Sequence, residues 1–327
     1  MWRFKTVHPD LIRHIELTAA LLGALSVIVA ASQFMLERPS RERATVFNAW
    51  QVVAGMEGKR AAGGRAKALK QLIERKESLA GVALNGAILN EIDLSDTDLS
   101  YASLENVSFS HCLLRNVLLR GASLSGGHFE RQCNFSNAVF ENAQLQNSVL
   151  ADSNLSGARL LAVVGNEGTS FNGAEMASSV IENAELPGAN FDNANLSNVR
   201  MLESRIGSAT FHRATLDGFR IVDTQATLAE FQKATGKGTV FGQDSVLEAS
   251  RFDESTLTDA VFEGVSLKKA SFFGATLRNA IFRRCDLTGA DFTSADLTNV
   301  TVCDSKGANF ADARVKPTRQ SVKCEER

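Results

Sequence analysis

Several residue types are scarce in this chain at once. Its 327 residues include four prolines, one tyrosine, two tryptophans and five cysteines, against 20 phenylalanines. An aromatic inventory reduced almost to Phe points to one structural slot used many times. The cysteines include no CxxC and no Cys/His pair at ligand spacing, which leaves neither a zinc motif nor an evident disulfide framework. Cys112, Cys133 and Cys285 are read as small buried hydrophobes, with Cys112 and Cys133 as free thiols. The five histidines, at 8, 14, 111, 128 and 212, are scattered. GKGT at 236–239 lacks the GxxxxGK[ST] spacing of a phosphate loop. No catalytic, cofactor-binding or metal-binding residue stands out, and the chain is read as a non-enzyme without a cofactor.

Charge of either sign is nearly absent in sum, −2 overall, but unevenly spread. Residues 1–78 carry 13 Lys/Arg against 7 Asp/Glu, residues 79–315 carry 18 against 28, and residues 316–327 carry 4 against 2. A basic front and an acidic body suggest a membrane-facing end and a separate body. Residues 17–36, LTAALLGALSVIVAASQFML, hold no charge. As a helix they would span roughly 30 Å, the hydrocarbon thickness of a bilayer. The preceding 16 residues contain Asp10 and Glu16, unlike the basic start of a cleaved signal peptide, so a retained anchor is expected. The basic load after the span favours a cytoplasmic body in a single-pass protein of the bacterial inner (plasma) membrane. The lack of a disulfide framework agrees with a reducing compartment.

The connector, 37–78, divides into two helical stretches. Arg41–Met56 places Val46, Phe47, Trp50 and Val53 on one helical face. Ala66–Glu77, rich in helix formers, is expected to cap the body that follows.

Within 79–315 the apolar pattern is neither that of a half-buried strand nor that of a helix. Leu89, Leu94, Leu99, Leu104 and Phe109 fall at every fifth position. Counting Asn166, Ala226 and Gly236 as degenerate centres, 44 such repeats run from Leu84 to Val302. Extra residues fall near Glu130–Cys133, within Leu161–Ser170 and near Gly242–Gln243. Two places before most centres stands a small residue, such as Ala87, Ala102, Ala189 or Ala290, and the residues between are polar. His128 directly precedes a centre and is expected to face solvent. Asp93, Asp98, Asp291 and Asp296 likewise read as solvated rungs rather than an acid/base pair.

The motif A-[DN]-[LF]-x-x recurs as ANFDN (189–193), ANLSN (194–198), ADFTS (290–294) and ADLTN (295–299). The body thus resembles the pentapeptide-repeat family over about 230 residues. The resemblance implies an all-β solenoid, a right-handed quadrilateral β-helix with four repeats per coil, hence about eleven coils here. Its centres and small residues would point inward. Sorting the centres into every fourth one gives an independent test. One column reads Leu89, Phe109, Phe129, Leu150, Phe171, Phe191, Phe211, Phe231, Phe252, Phe272, Phe292, and the opposite column holds Phe140, Phe241, Phe262 and Phe282. A bare period of five predicts no such sorting, whereas a four-sided coil does.

Coils about 4.8 Å apart would stack like residue on like and give a rod of roughly 50 Å. The insertions, and Val222–Val240 with Lys233 and Lys237, are the places where the uniform wall is interrupted. The tail, 316–327, either covers the last coil or leaves it to pair with a second copy of the chain. The composition and the resemblance together imply a membrane-anchored protein-interaction scaffold. Its expected contacts are a protein partner, a membrane protein among the candidates, and the lipid bilayer through 17–36. The alternative is a DNA mimic that binds a type II topoisomerase, as some relatives do. Its surplus of ten negative charges over roughly 50 Å is far below the one per 1.7 Å of duplex DNA. Nucleic acid itself is not an expected partner.

Overall fold

The computed structural model describes residues 42–55, 63–130, 132–321 and 324. The chain divides into two compact units, Met1–Gln51 and Val52–Arg327. In the first unit the described residues, 42–51, are helical. Residues 17–36 lie outside the described residues, and among the described ones no helix is long and apolar enough to cross a membrane.

The second unit opens with the end of that helix, α1 (42–55), at 52–55, followed by helix α2, Gly63–Glu74. Leu69 and Leu72 of α2 are fully buried, the face expected of a cap. Arg65 is buried with them: its guanidinium donates to Val53 O at 3.2 Å and to Ala83 O at 3.1 Å, tying Val53 and α2 to the first coil. A buried charge is tolerated when it is hydrogen-bonded in this way.

Beyond α2 the chain winds as a β-solenoid of about ten turns. Four ladders of parallel bridges advance by 20 residues, opening with Ala83↔Ser103, Ile88↔Ser108, Asp93↔Leu113 and Asp98↔Leu118. They define four sides, here called A, B, C and D, whose first centres are Leu84, Leu89, Leu94 and Leu99. Side D carries a nine-stranded parallel sheet from Arg159–Leu161 to Arg319–Ser321. The ladder step rises to 21 at Leu113↔Asn134, Val149↔Ser170 and Gln225↔Val246, as the three insertions require.

The corners explain the composition between centres. Away from the insertions the residue two after a centre adopts a left-handed backbone, as at Asn106 (φ 53), Asn137 (φ 58) and Asn198 (φ 58). Asn and Gly dominate there because they tolerate that region best. Asn at these corners therefore answers a backbone need as well as solvent exposure. At Gly126 (φ +66) a Cβ would fall 2.4 Å from Asn106 Oδ1, so a bare backbone also admits the side chain from the preceding coil. Most corners close with a turn hydrogen bond, such as Val199 N to Leu196 O at 3.1 Å.

In the later coils the corner after side D is built differently. There the small-slot N–H donates to a hydroxyl on the next coil: Ala184 to Ser204, Ser204 to Thr224, Thr224 to Ser245, and Cys285 to Ser305, at 3.0–3.4 Å. Ser and Thr in those slots are chosen for hydrogen bonding as well as size.

Inside, the sorted column forms a pile on side B. Phe171, Phe191, Phe211, Phe231, Phe252, Phe272 and Phe292 stack with ring centroids 4.6–5.0 Å apart. On side D, Phe241, Phe262 and Phe282 form a second pile at 4.6–4.7 Å and meet the first edge-on, as Phe262 meets Phe272 at 5.7 Å and 87°. Stacking along the axis and edge-to-face contact across it are both favoured aromatic geometries.

Two sequence expectations need correction. Val164 pairs with Glu185 and Gly165 is buried, so Gly165 rather than Asn166 is the centre of its repeat. A Cβ on Gly165 would lie 2.7 Å from Leu186 and from Thr169 Oγ1, and the Thr169 hydroxyl donates to Leu145 O at 2.8 Å. Gly236 repeats the device with Thr239 and Leu216 O, at 2.9 Å.

The other correction concerns thiols. Cys112 and Cys133 form a disulfide, with Cα atoms 4.6 Å apart. The first insertion falls between them, making their separation 21 residues. The two small slots stack one coil apart, and that Cα separation lies within the range a disulfide bridges. Cys303 and Cys324 form a second disulfide that fastens the tail to the last strands. Cys285 is free and buried, and its burial raises its thiol pKa to about 11.

Candidate interaction surfaces

With the centres and small slots turned inward, any site must lie on the outer walls. Among the described residues no group of His, Cys, Asp and Glu could hold a metal ion. The polar residues singled out in the sequence are dispersed. His128 is exposed on side B and His111 at the following corner, while His8 and His14 lie outside the described residues. His212 lies on side B, with Nδ1 3.1 Å from Asp192 Oδ1 and Nε2 2.9 Å from Glu230 Oε2. Gly236–Thr239, with its interior glycine, is part of the wall. Lys233 and Lys237 pair with Glu254 at 3.5 Å and Asp259 at 3.9 Å, which answers their charge locally.

The recurring aspartates act within the wall. Asp93 and Asp98 accept hydrogen bonds from Ser95 and Ser100, which hold their carboxyls below the usual range. Asp296 is drawn to about 2, first by the Thr298 hydroxyl and then by Arg278, and it also pairs with Arg314 at 3.2 Å. Asp291 caps the turn at Thr293 N.

A groove of about 740 Å³ lies near the C-terminal end between Lys268, Arg284, Asp286, Asp304 and Lys306. Asp286 is likewise lowered to about 2, chiefly by Thr288 and then by Lys306 at 3.0 Å. Lys268 reaches both Glu248 and Asp286, and Arg284 pairs with Glu263. Its cations are therefore answered from within the chain.

Side D differs from the other three. Sides A, B and C show mainly polar residues outward. Side D shows Leu118, Val139, Val180, Val240, Val261 and Ile281 before its centres, and Leu161, Leu202 and Val222 after them, most of them half-buried on the sheet surface. Arginine is interleaved and lysine is absent. The arginines that follow a centre are paired, Arg120 with Glu141 at 3.1 Å and Arg283 with Glu263 at 3.7 Å. Those that precede a centre, Arg159, Arg200 and Arg220, are exposed and have no ion pair or side-chain hydrogen bond among the described residues. Sequence reasoning sorted only the centres by side. The same sorting of the flanking residues would have exposed this wall.

A four-sided parallel β-solenoid with a five-residue repeat defines the class of protein. A profile for Pentapeptide repeats matches the chain in eight copies, at residues 78–116, 133–161, 167–198, 243–279 and 270–306. These cover half of the chain, which belongs to the pentapeptide-repeat family. No curated protein matches it. Among solved structures it is similar to HetL of the cyanobacterium Nostoc, a pentapeptide repeat protein involved in heterocyst differentiation regulation, at 22% identity over 74% of this chain and 94% of that one, TM-score 0.33. A trypsin-treated form of QnrB1, a plasmid-mediated fluoroquinolone resistance protein, is 16% identical over 61% and 91%, TM-score 0.31. A pentapeptide repeat protein of the Arabidopsis thaliana thylakoid lumen is 27% identical over 35% and 68%, TM-score 0.17.

Proposed function

We propose that the chain is a non-enzymatic protein-interaction scaffold, tethered to a bacterial inner membrane by a single span at 17–36. The observation that carries the reading is the division of labour along the repeat. Centres and small slots fill the bore, while the residues beside each centre face out and are free to differ from coil to coil. The dispersed polar groups supply no reaction centre.

The expectation of a cytoplasmic body leaned on the lack of a disulfide framework. Cys112–Cys133 and Cys303–Cys324 remove that support, since structural disulfides belong to oxidising compartments. The basic residues close to the span are balanced, Arg3, Lys5 and Arg13 before it and Arg38, Arg41 and Arg43 after it. The body is therefore proposed for the non-cytoplasmic side. Acid-quenched cells labelled with a maleimide polymer under denaturing conditions should give one adduct per chain, from Cys285, and five after reduction. Five adducts without reduction would return the body to the cytoplasm.

Purification of the tagged full chain from detergent-solubilised membranes should yield a second protein in stoichiometric amount. Recovery of the chain alone would defeat the scaffold reading. The rival, a DNA mimic, draws on the acidic body, but a wall bearing three unanswered arginines is unlike duplex DNA. Sub-stoichiometric inhibition of gyrase supercoiling by the purified chain would favour it.

A further inference from the structure

We propose that the outer wall of side D, centred on Arg159, Arg200 and Arg220, docks a protein whose surface presents carboxylates beside an aliphatic strip. The proposal rests on the scaffold reading and names the wall and the chemistry it takes.

The argument begins with a cost. Arg200 and Arg220 are partners in register on adjacent parallel strands. Like charges directly opposite each other destabilise a sheet. The guanidiniums that follow a centre on this wall have a carboxylate beside them, as at Arg120–Glu141 and Arg283–Glu263. At Arg200 and Arg220 the chain leaves both unanswered. Intramolecular stability gives no reason for this arrangement, whereas an incoming carboxylate does.

The surroundings narrow the partner. Leu161, Leu202 and Val222 run parallel to the arginine column, one residue beyond the centres, with Glu182 between Leu161 and Leu202, and the sheet beneath is continuous. Gly242 keeps the next coil low, since a Cβ there would lie 2.9 Å from Val222. The wall thus joins flat aliphatic area to arginine without lysine, and arginine is the cation enriched in protein interfaces. Its planar fork also pairs bidentately with carboxylates. A nucleic acid or an anionic bilayer fits less well. Glu141, Glu182 and Glu263 stand on the same wall and would repel a continuous polyanion. The spacing of the occupant's charges follows from the coil rise: two carboxylates about 5 Å apart face Arg200 and Arg220, and a third lies about 10 Å further along opposite Arg159.

The test uses the full chain in its native membrane, with a photo-crosslinking amino acid at Leu202 and, separately, at Asn172 on side B. The expected result is a discrete adduct from Leu202 alone. Mass spectrometry should map it to an acidic, aliphatic segment of one protein, and R200Q/R220Q should cut its yield at least tenfold. The same double variant should melt at an unchanged or higher temperature, because it relieves the in-register repulsion. Lost docking with undiminished stability is what a merely structural role would not produce.

Adducts from Asn172 but not Leu202 would overturn the choice of wall and leave the scaffold reading standing. No protein adduct from either site, or from a probe on side A or side C, would remove both. Crosslinks to lipid, or R200Q/R220Q-sensitive binding to phosphatidylglycerol vesicles or to a DNA duplex, would replace the protein partner with a polyanion and defeat the proposal. An adduct from Leu202 that survives R200Q/R220Q would also defeat it.

Discussion

Phe211 lies one coil above Phe191, and Arg220 lies one coil above Arg200. The same translation produces both pairs, one inside the bore and one on the outer wall. Inside, it gives rings 5.0 Å apart and 3° from parallel, with every contact favourable. Outside, it sets two positive charges in register with nothing between them. A solenoid must stack like on like wherever its repeat is regular. The interior can make that a gain, because packing rewards self-complementary shapes. The exterior gains only where residues are apolar, as Val261 beside Ile281, or alternate in charge, as Lys233 beside Glu254. The departure from that economy at Arg200 and Arg220 is the ground for proposing a partner outside the chain.

The contrast can be broken or sharpened by substitution. The largest effect belongs to the interior. Phe252 stacks on Phe231 and Phe272 and meets Phe241 and Phe262 edge-on. F252A should cost about 3–5 kcal/mol in denaturant unfolding, and a loss no greater than that of a surface substitution would show that the two piles do not hold the bore together.

The disulfides come next, and they straddle the comparison. Cys112–Cys133 occupies inner slots, Cys303–Cys324 joins the outer wall to the tail, and each spans 21 residues. Converting either pair to alanine should lower stability by about 3 kcal/mol if loop closure in the unfolded chain governs the effect. Markedly unequal losses, read from melts under non-reducing conditions, would locate the difference in the folded walls instead.

Smaller effects belong to the exterior. Leu228 is 54% exposed and left-handed, with φ at 61°. Replacing it with asparagine, the usual corner residue, should raise stability by about 1 kcal/mol. A loss would mean that the leucine packs more usefully than its exposure suggests. The smallest change is R220Q, expected to raise stability by about 0.3 kcal/mol through relief of the Arg200 contact. Destabilisation by as much as a kilocalorie would show that the arginine supports its own wall.

Much of the second unit was legible beforehand. The period of five, the sorting of Phe109, Phe129 and Phe171–Phe292 to one side, the helix that buries Leu69 and Leu72, and the three insertions all reappear in the coil. They were readable because translation forces residues 20 or 21 apart to share an environment, so the environment is sampled many times along the chain. Features that occur once were not. Gly165 displaced Asn166 as a centre because Thr169 and Leu186 close on it, which no count of positions reveals. The role of Ser204, Thr224 and Ser245 as hydroxyl acceptors was hidden behind their small size. The candidate wall was half legible: Arg200 and Arg220 stand 20 apart in the sequence, but their lack of a carboxylate emerges only when every neighbouring side chain has been placed.

The amino-acid order alone therefore determined that the body is a four-sided coil and which side holds the phenylalanines, because a repeated slot writes its demand into the chain again and again. Only the tertiary structure decided that Cys112 bonds to Cys133, that Cys303 holds the tail, and that three arginines stand unanswered on side D. Those outcomes depend on where individual side chains end after an insertion or at a wall's surface, and periodicity carries no information about such singular contacts.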